Sequence, residues 1–297
     1  MTEVWSGANA MTVDVEDYFH VAALAESIPR EHWERCEPRV ENNTHRLLDL
    51  FDEFDVRITF FVLGWVAERF PGLVREIAAR GHEVASHGWS HQLVYEQGRD
   101  EFRQETGRAK RLLEDLVQQP IEGYRAASYS ITRDSLWALD VLAEEGFVWD
   151  SSIFPVRHDR YGIPGASRWP HVITAPGGGR LVEFPLTTCS VFGSRLPIAG
   201  GGYFRLYPYG LTRAGLASVN REGRPFIFYL HPWEIDPDQP RVKASALSTF
   251  RHYNNLARCE ARLRALLRDF RFGTVREVLE RLDLLEPREQ PLRAASA

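Results

Sequence analysis

The chain has 297 residues, 44% of them hydrophobic, and 36 Lys and Arg against 41 Asp and Glu for a formal charge of −5; a globular chain of this size needs neither disulfides nor a structural metal to hold a core. Its mild acidity, with a pI of about 6.1 and no Lys/Arg block, leaves no electrostatic reason to bind nucleic acid or an anionic membrane surface. Cys36, Cys189 and Cys259 are far apart with no CxxC pair, which suits reduced thiols, and the first residues lack the basic and apolar regions of a signal peptide, so the expected compartment is the cytoplasm.

Short β-rich apolar runs that stop abruptly at polar residues, most with a helical pattern behind them, mark βα units. Residues 10–15 (AMTVDV) are the first such run, closed by Glu16 and Asp17. A helix follows over 44–54, then a strand over 57–63 and a helix through Arg80 ending at Gly81. Residues 82–85 lead into SHGWSH, and a helix over 100–117 precedes a strand over 121–124 that ends at Arg125. Behind Thr132 as N-cap, a helix over 135–145 precedes a strand over 147–149 that ends at Asp150. The Gly-, Pro- and His-rich stretch 157–180 reads as a long loop. Strands over 182–184 and 226–230 (FIFYL) end at Pro185 and His231, and the glycines at 200–202, with no helix evident behind them, read as a turn.

Residues 253–285 carry Leu256, Leu263, Leu266, Leu267 and Phe270 at helical spacing, with Thr274 as the N-cap of a last helix. The expected division is a barrel over 1–240, a helical extension packed on it over 241–285, and a disordered tail over 286–297. No apolar run approaches the roughly 20 residues that span a bilayer.

Parallel βα repetition implies a barrel or a doubly wound sheet. In barrels the reactive groups gather at the C-terminal ends of the strands, where Asp14, Glu16, Asp17, His87, His91, Arg125, Asp150 and His231 all fall. Asp14 and Glu16 project to one side of an extended backbone, so they repel unless a cation lies between them; alternatively the acidic run forms a solvated turn or a helix cap. His87 and His91, four residues apart, can face one ion, and with a carboxylate they complete a three-ligand set that leaves positions open. An HxxxH pair also arises by chance on helix surfaces. His231 closes an apolar strand and suits a general acid, or else a histidine bonded to a backbone carbonyl. Arg125 and Asp150 read as a buried ion pair, either structural or orienting the catalytic carboxylate.

These residues carry a resemblance. TVDVEDYFHV, TFFVLGWVAERFP, GHEVASHGWSH, GYRAASYSIT, GFVWDSSIFP, GGGYFRLYPY, FYLHPWEIDP and RHYNNLARCEARLRALLRDFRFGTV, spread over 12–278, resemble the polysaccharide deacetylases with a NodB-homology domain, carbohydrate esterase family four. The likeness is greatest to the deacetylases of exosortase (PEP-CTERM) exopolysaccharide loci. It implies a distorted (β/α) barrel of α/β class with a divalent metal at its mouth, usually zinc, with cobalt or nickel as alternatives. It further implies Asp14 as general base, Glu16 as the metal carboxylate with Asp17 the weaker choice, His87 and His91 as the other ligands, Arg125 orienting the base, and His231 as general acid. Two departures stand out: Val15 separates two carboxylates that are usually adjacent, and Ala127 replaces a usual proline.

The implied reaction is metal-dependent hydrolytic N-deacetylation of N-acetylhexosamine units in an exopolysaccharide or its lipid-linked precursor, beside membrane-bound assembly machinery. A backbone N–H near Ser128 or Tyr129 would hold the oxyanion. Tyr129, Trp149, Tyr203, Phe204 and Trp233, with Trp89 and Tyr207, could wall a sugar site, although ordinary core packing also uses such aromatics. The partners implied are an acetylated poly- or oligosaccharide and, at most, further copies of the chain. The alternatives are a metal-independent cyclic-amide hydrolase of the allantoinase type and a catalytically silent sugar-binding module.

Overall fold

The computed structural model describes residues 4–158, 160–191 and 193–287. Its strands are β1 (Asn9–Val15), β2 (Thr59–Val62), β3 (Glu83–Ser86), β4 (Gly123–Tyr124), β5 (Trp149–Asp150), β6 (His171–Thr174), β7 (Arg180–Glu183), β8 (Thr188–Val191), β9 (Ser194–Pro197), β10 (Ile227–Leu230) and β11 (Phe272–Gly273). The α-helices are α1 (Val40–Glu53), α2 (Gly64–Arg69), α3 (Pro71–Ala79), α4 (Arg99–Val117), α5 (Trp137–Glu144), α6 (Gly201–Leu206), α7 (Tyr209–Arg221), α8 (Ala246–Tyr253), α9 (Leu256–Asp269) and α10 (Val275–Arg281).

One curled sheet runs β10-β1-β2-β3-β4-β5-β7-β6, parallel except for the last pair. It is the distorted barrel expected from the βα pattern, left open between β6 and β10. The segment around β8 and β9 spans that opening: the Tyr229 amide donates to the Ala199 carbonyl at 2.8 Å and the Ile227 amide to Thr187 Oγ1 at 2.8 Å.

The period-two alternation of strands decides which side chains face the helices and which face the interior. Val13, Val15, Phe60 and Val62 join Leu47, Phe51, Leu73, Leu139 and Leu263 from the surrounding helices in one fully buried cluster. Ala10, Phe61, Ala85, Trp149, Ile227 and Tyr229 fill the inside of the curl. Thr12 and Asp14 share that inner face, because they alternate with Val13 and Val15.

Three expectations change. The stretch 157–180 holds a strand: β6 pairs antiparallel with β7 from His171–Glu183 to Thr174–Arg180. The glycines at 200–202 do precede a helix, since α6 starts at Gly201. The segment 241–285 is more than a helical extension, because β11 pairs in parallel with β1 at Asn9 and Ala10, and α9 contributes Leu263 and Leu266 to the main core. Of the expected tail, 288–297 lie outside the described residues. Among the described residues no helix is long and apolar enough to cross a membrane.

Candidate active site

The C-terminal ends of β1, β3, β4 and β10 converge on a cavity of about 160 Å³ lined by Asp14, Glu16, His87, His91, Ser128, Tyr129, Tyr161, Tyr229 and His231. Glu16 Oε1 lies 2.9 Å from His87 Nε2 and 3.1 Å from His91 Nε2. The other nitrogen of the His87 ring, Nδ1, donates to the Arg125 carbonyl at 2.8 Å, which fixes the ring with Nε2 turned to the Glu16 carboxylate. His91 reaches the same point from a left-handed backbone conformation (φ 53°).

Burial opposes the charge on Glu16, yet the charges of His91 and His231 and hydrogen bonds from His87 and His91 outweigh it and hold the carboxyl well below its ordinary range. Glu16, His87 and His91 therefore present an ionised oxygen and two ring nitrogens within 4.8 Å of one another, a donor set suited to zinc and similar ions.

Asp14 stands beside this cluster and is gripped from below. Arg125, fully buried, donates from one terminal nitrogen to Asp14 Oδ1 at 2.6 Å and Thr12 Oγ1 at 2.8 Å. Its other terminal nitrogen donates to Ser151 Oγ at 3.0 Å, Nε donates to the Ser151 carbonyl at 3.2 Å, and the guanidinium lies 4.0 Å from the Phe61 ring centre. With Oδ1 held, Asp14 Oδ2 lies 3.9 Å from His231 Nε2. His231 Nδ1 donates to Glu234 Oε1 at 2.8 Å, and its ring stacks on Trp233 at 5.3 Å. Burial works against a charged His231, but Glu16, Glu234 and Asp14 prevail and raise it to about 9.

Glu234 and Arg205 carry no expectation from the sequence, yet they fix His231. The fully buried Glu234 accepts from Arg205 Nε at 2.6 Å. Arg205 also donates to the carbonyls of His252 (2.7 Å), Asn254 (2.9 Å) and Arg251 (3.1 Å) at the end of α8. Burial would raise Glu234, but Arg205 and His231 bring it down to about 2. Glu234 closes a capping box three residues after His231, a spacing visible in the sequence. Arg205 offers no such signal.

Other expectations fail for local reasons. Asp17 turns away from the metal-type cluster: it accepts from the amides of Tyr18 (2.9 Å), Arg39 (2.6 Å) and Val40 (2.8 Å), tying the end of β1 to the start of α1. Asp150 is not the ion-pair partner of Arg125. It accepts from Ser152 Oγ at 2.6 Å and hydrogen-bonds Glu183, also fully buried. Burial raises both carboxyls, and mutual repulsion lifts Glu183 further, so the pair shares a proton.

Trp149 and Phe204 cannot touch a sugar. Both are fully buried, Trp149 against Phe61 and Gly123 and Phe204 against Phe228. Trp233 is buried behind His231, Trp89 lies under Arg108, and Tyr207 packs on the core. Tyr129 lines the cavity, but its amide is spent on the Ala126 carbonyl at 3.0 Å, which leaves the Ser128 amide as the remaining candidate of the two. Tyr203 lines an adjoining cavity. Tyr161 and Tyr229, not singled out in the sequence, line the catalytic cavity instead.

The curled α/β sheet and the groups at its mouth can be set beside known proteins. Residues 33–144 match the polysaccharide deacetylase family, and residues 151–280 match a domain of unknown function, DUF3473. A peptidoglycan-N-acetylglucosamine deacetylase of Bacillus cereus is 36% identical over 74 residues, 25% of this chain and 27% of that protein. A chitooligosaccharide deacetylase of Sinorhizobium fredii is 33% identical over 99 residues, 33% of this chain and 44% of that protein. The chain thus spans less than half the length of these curated relatives. Two crystal structures share the fold. A Mycobacterium smegmatis protein classed with the polysaccharide deacetylases has a TM-score of 0.61 at 22% identity, covering 98% of this chain and 96% of its own. The PuuE allantoinase has 0.61 at 16% identity, covering 96% and 94%.

Proposed function

We propose that the chain hydrolyses the acetamide of N-acetylhexosamine units in an exopolysaccharide or its lipid-linked precursor, in a zinc-dependent reaction. The observation that carries this reading is the Glu16–His87–His91 donor set beside an aspartate locked by a buried arginine. A divalent ion held by those three side chains would supply Lewis-acid polarisation of the acetamide carbonyl and acidify water beside it.

The chain's own groups do the rest. Arg125 holds Asp14 through Oδ1 and leaves Oδ2 on the side of His231, where it takes the proton of the attacking water. The Ser128 amide faces the developing oxyanion. His231, with Nδ1–H fixed on Glu234, holds a proton at Nε2 and delivers it to the leaving nitrogen, so that the C–N bond breaks to acetate and a free amine. The match of residues 33–144 to the polysaccharide deacetylase family and the deacetylase names of the partial relatives support this chemistry.

The test is acetate release from a panel of acetylated hexosamine oligomers, with and without chelator, followed by add-back of zinc, cobalt or nickel. Activity that disappears with chelator and returns with metal is expected. Undiminished turnover in metal-free protein would support a hydrolase of the allantoinase type, and no acetate from any oligomer would leave a sugar-binding module.

A further inference from the structure

A second cavity, of about 360 Å³, opens off the first and shares Ala22, Ser128, Tyr161 and Tyr229 with it. Its outer wall comes from the other half of the chain: His158, Arg160 and Tyr161, α6 with Tyr203 and Leu206, and the end of α8 with Phe250 and Arg251. Its lining has two characters at once. Phe250 is 53% and Leu206 46% exposed, which is costly apolar surface to leave in water beside a catalytic cavity. Arg160 and Arg251 face the same space.

Neither Arg160 nor Arg251 makes an ion pair with a described residue, so both guanidinium groups are available to an anion. Nor is the wall loose: Arg205 holds the carbonyls at the end of α8 and is itself tied through Glu234 to His231. The arginine-bearing surface is therefore held in register with the candidate acid.

We infer that this cavity is a subsite for an anionic sugar residue adjoining the acetamido sugar in the same glycan. Aromatic and aliphatic faces pack on the C–H faces of a pyranose, and guanidinium groups take a carboxylate or phosphate in forked geometry that a neutral hydroxyl cannot match. The inference rests on the deacetylase reading for the neighbouring cavity, and it assigns the selection of substrate to the half of the chain that matches the domain of unknown function. Two substituents supply such an anionic group, a uronic acid carboxylate and a sugar phosphate, and the substrates below separate them.

The experiment compares acetate release from three trisaccharides of equal length: one neutral, one with a uronic acid next to the acetamido sugar, one with a phosphorylated sugar there. At about 50 mM salt the full chain is expected to favour one anionic substrate by about tenfold or more in kcat/KM, chiefly through KM. The preference should shrink at about 500 mM salt and collapse toward unity in an Arg160→Gln/Arg251→Gln double variant of unchanged thermal stability. Equal kcat/KM for all three substrates, or a preference that survives in the double variant, would overturn the subsite. If none of the three yields acetate, the deacetylase reading fails, and calorimetric titration with the same trisaccharides still decides the subsite: arginine-dependent binding of an anionic one upholds it, and its absence refutes it.

Discussion

Arg205 sits in an ordinary helix, yet it connects the acid side of the site to the carboxyl-terminal helices through one buried carboxylate, Glu234. Removing the charge of Glu234 while keeping its shape takes away the anion that orients His231 and favours its charged form. Glu234→Gln should therefore lower kcat by about 10- to 100-fold while metal content, measured by elemental analysis, stays unchanged; wild-type turnover would show that Glu234 has no part in placing the acid. Asp14→Asn should retain metal and lose about 100- to 10,000-fold in turnover. His87→Ala should lose both together.

Residues such as Asp14, His87, Arg125 and His231 were readable because strand ends concentrate chemistry and each ends an apolar run. Asp17 misled for the same reason: it also ends that run, but capping two chain segments is a local use of a carboxylate that position alone does not distinguish from ligation. Trp149 and Phe204 show a different limit. Aromatic type signals buried area, but which side of a strand or helix it covers depends on packing partners distant in the sequence.

Among the elements, α1 starts at Val40, four residues before the expected Thr44, because its first amides are capped from Asp17 rather than from a neighbouring side chain. The break between α2 and α3 at Phe70–Pro71 follows from proline at the first helical position. The start of α6 depends on Gly200, where φ is 131° and a Cβ would lie 1.9 Å from the Tyr229 carbonyl oxygen. Gly200→Ala should destabilise the fold by about 3 kcal/mol or more, read as a lowered midpoint in urea unfolding, and an unshifted midpoint would mean the junction of α6 with β10 is slack.

At the start of β3, His82 accepts from the Ile58 amide at 3.2 Å. Burial, and after it the charge of Arg57, bring it down to about 4 from an ordinary 6.5; Arg80 acts the same way and Asp52 opposes. The fold thus favours neutral His82. The stability this gives is intact above pH 6.5 and is lost as the pH falls toward 4, because the unfolded chain takes up the proton first. Between pH 7 and 4.5, His82→Asn should lose about 2 kcal/mol less stability than the wild-type chain; parallel losses in the two proteins would remove His82 as the source.

At the scale of the molecule, the expected boundary at 240 does not separate two independent bodies. β11 completes the edge of β1 that β2 leaves free, and Leu263 and Leu266 of α9 are fully buried with the strands. A chain ending at residue 240 is expected to be insoluble or to lack a cooperative thermal transition, and a native-like melt of that fragment would restore the original division. The barrel itself was legible because βα repetition is local. Closure through 187–200 and β11 was not, since both depend on hydrogen bonds to partners remote along the chain.

The pairing of β1 with β10 has a kinetic consequence. Thr12 Oγ1 reaches the Phe228 carbonyl across 216 residues, and that same junction brings His231 to Asp14. Loop closure over such a span is slow relative to helix formation. On dilution from denaturant, helical signal should therefore return well before hydrolysis does, making turnover a clock for the last long-range contact rather than for the bulk of folding.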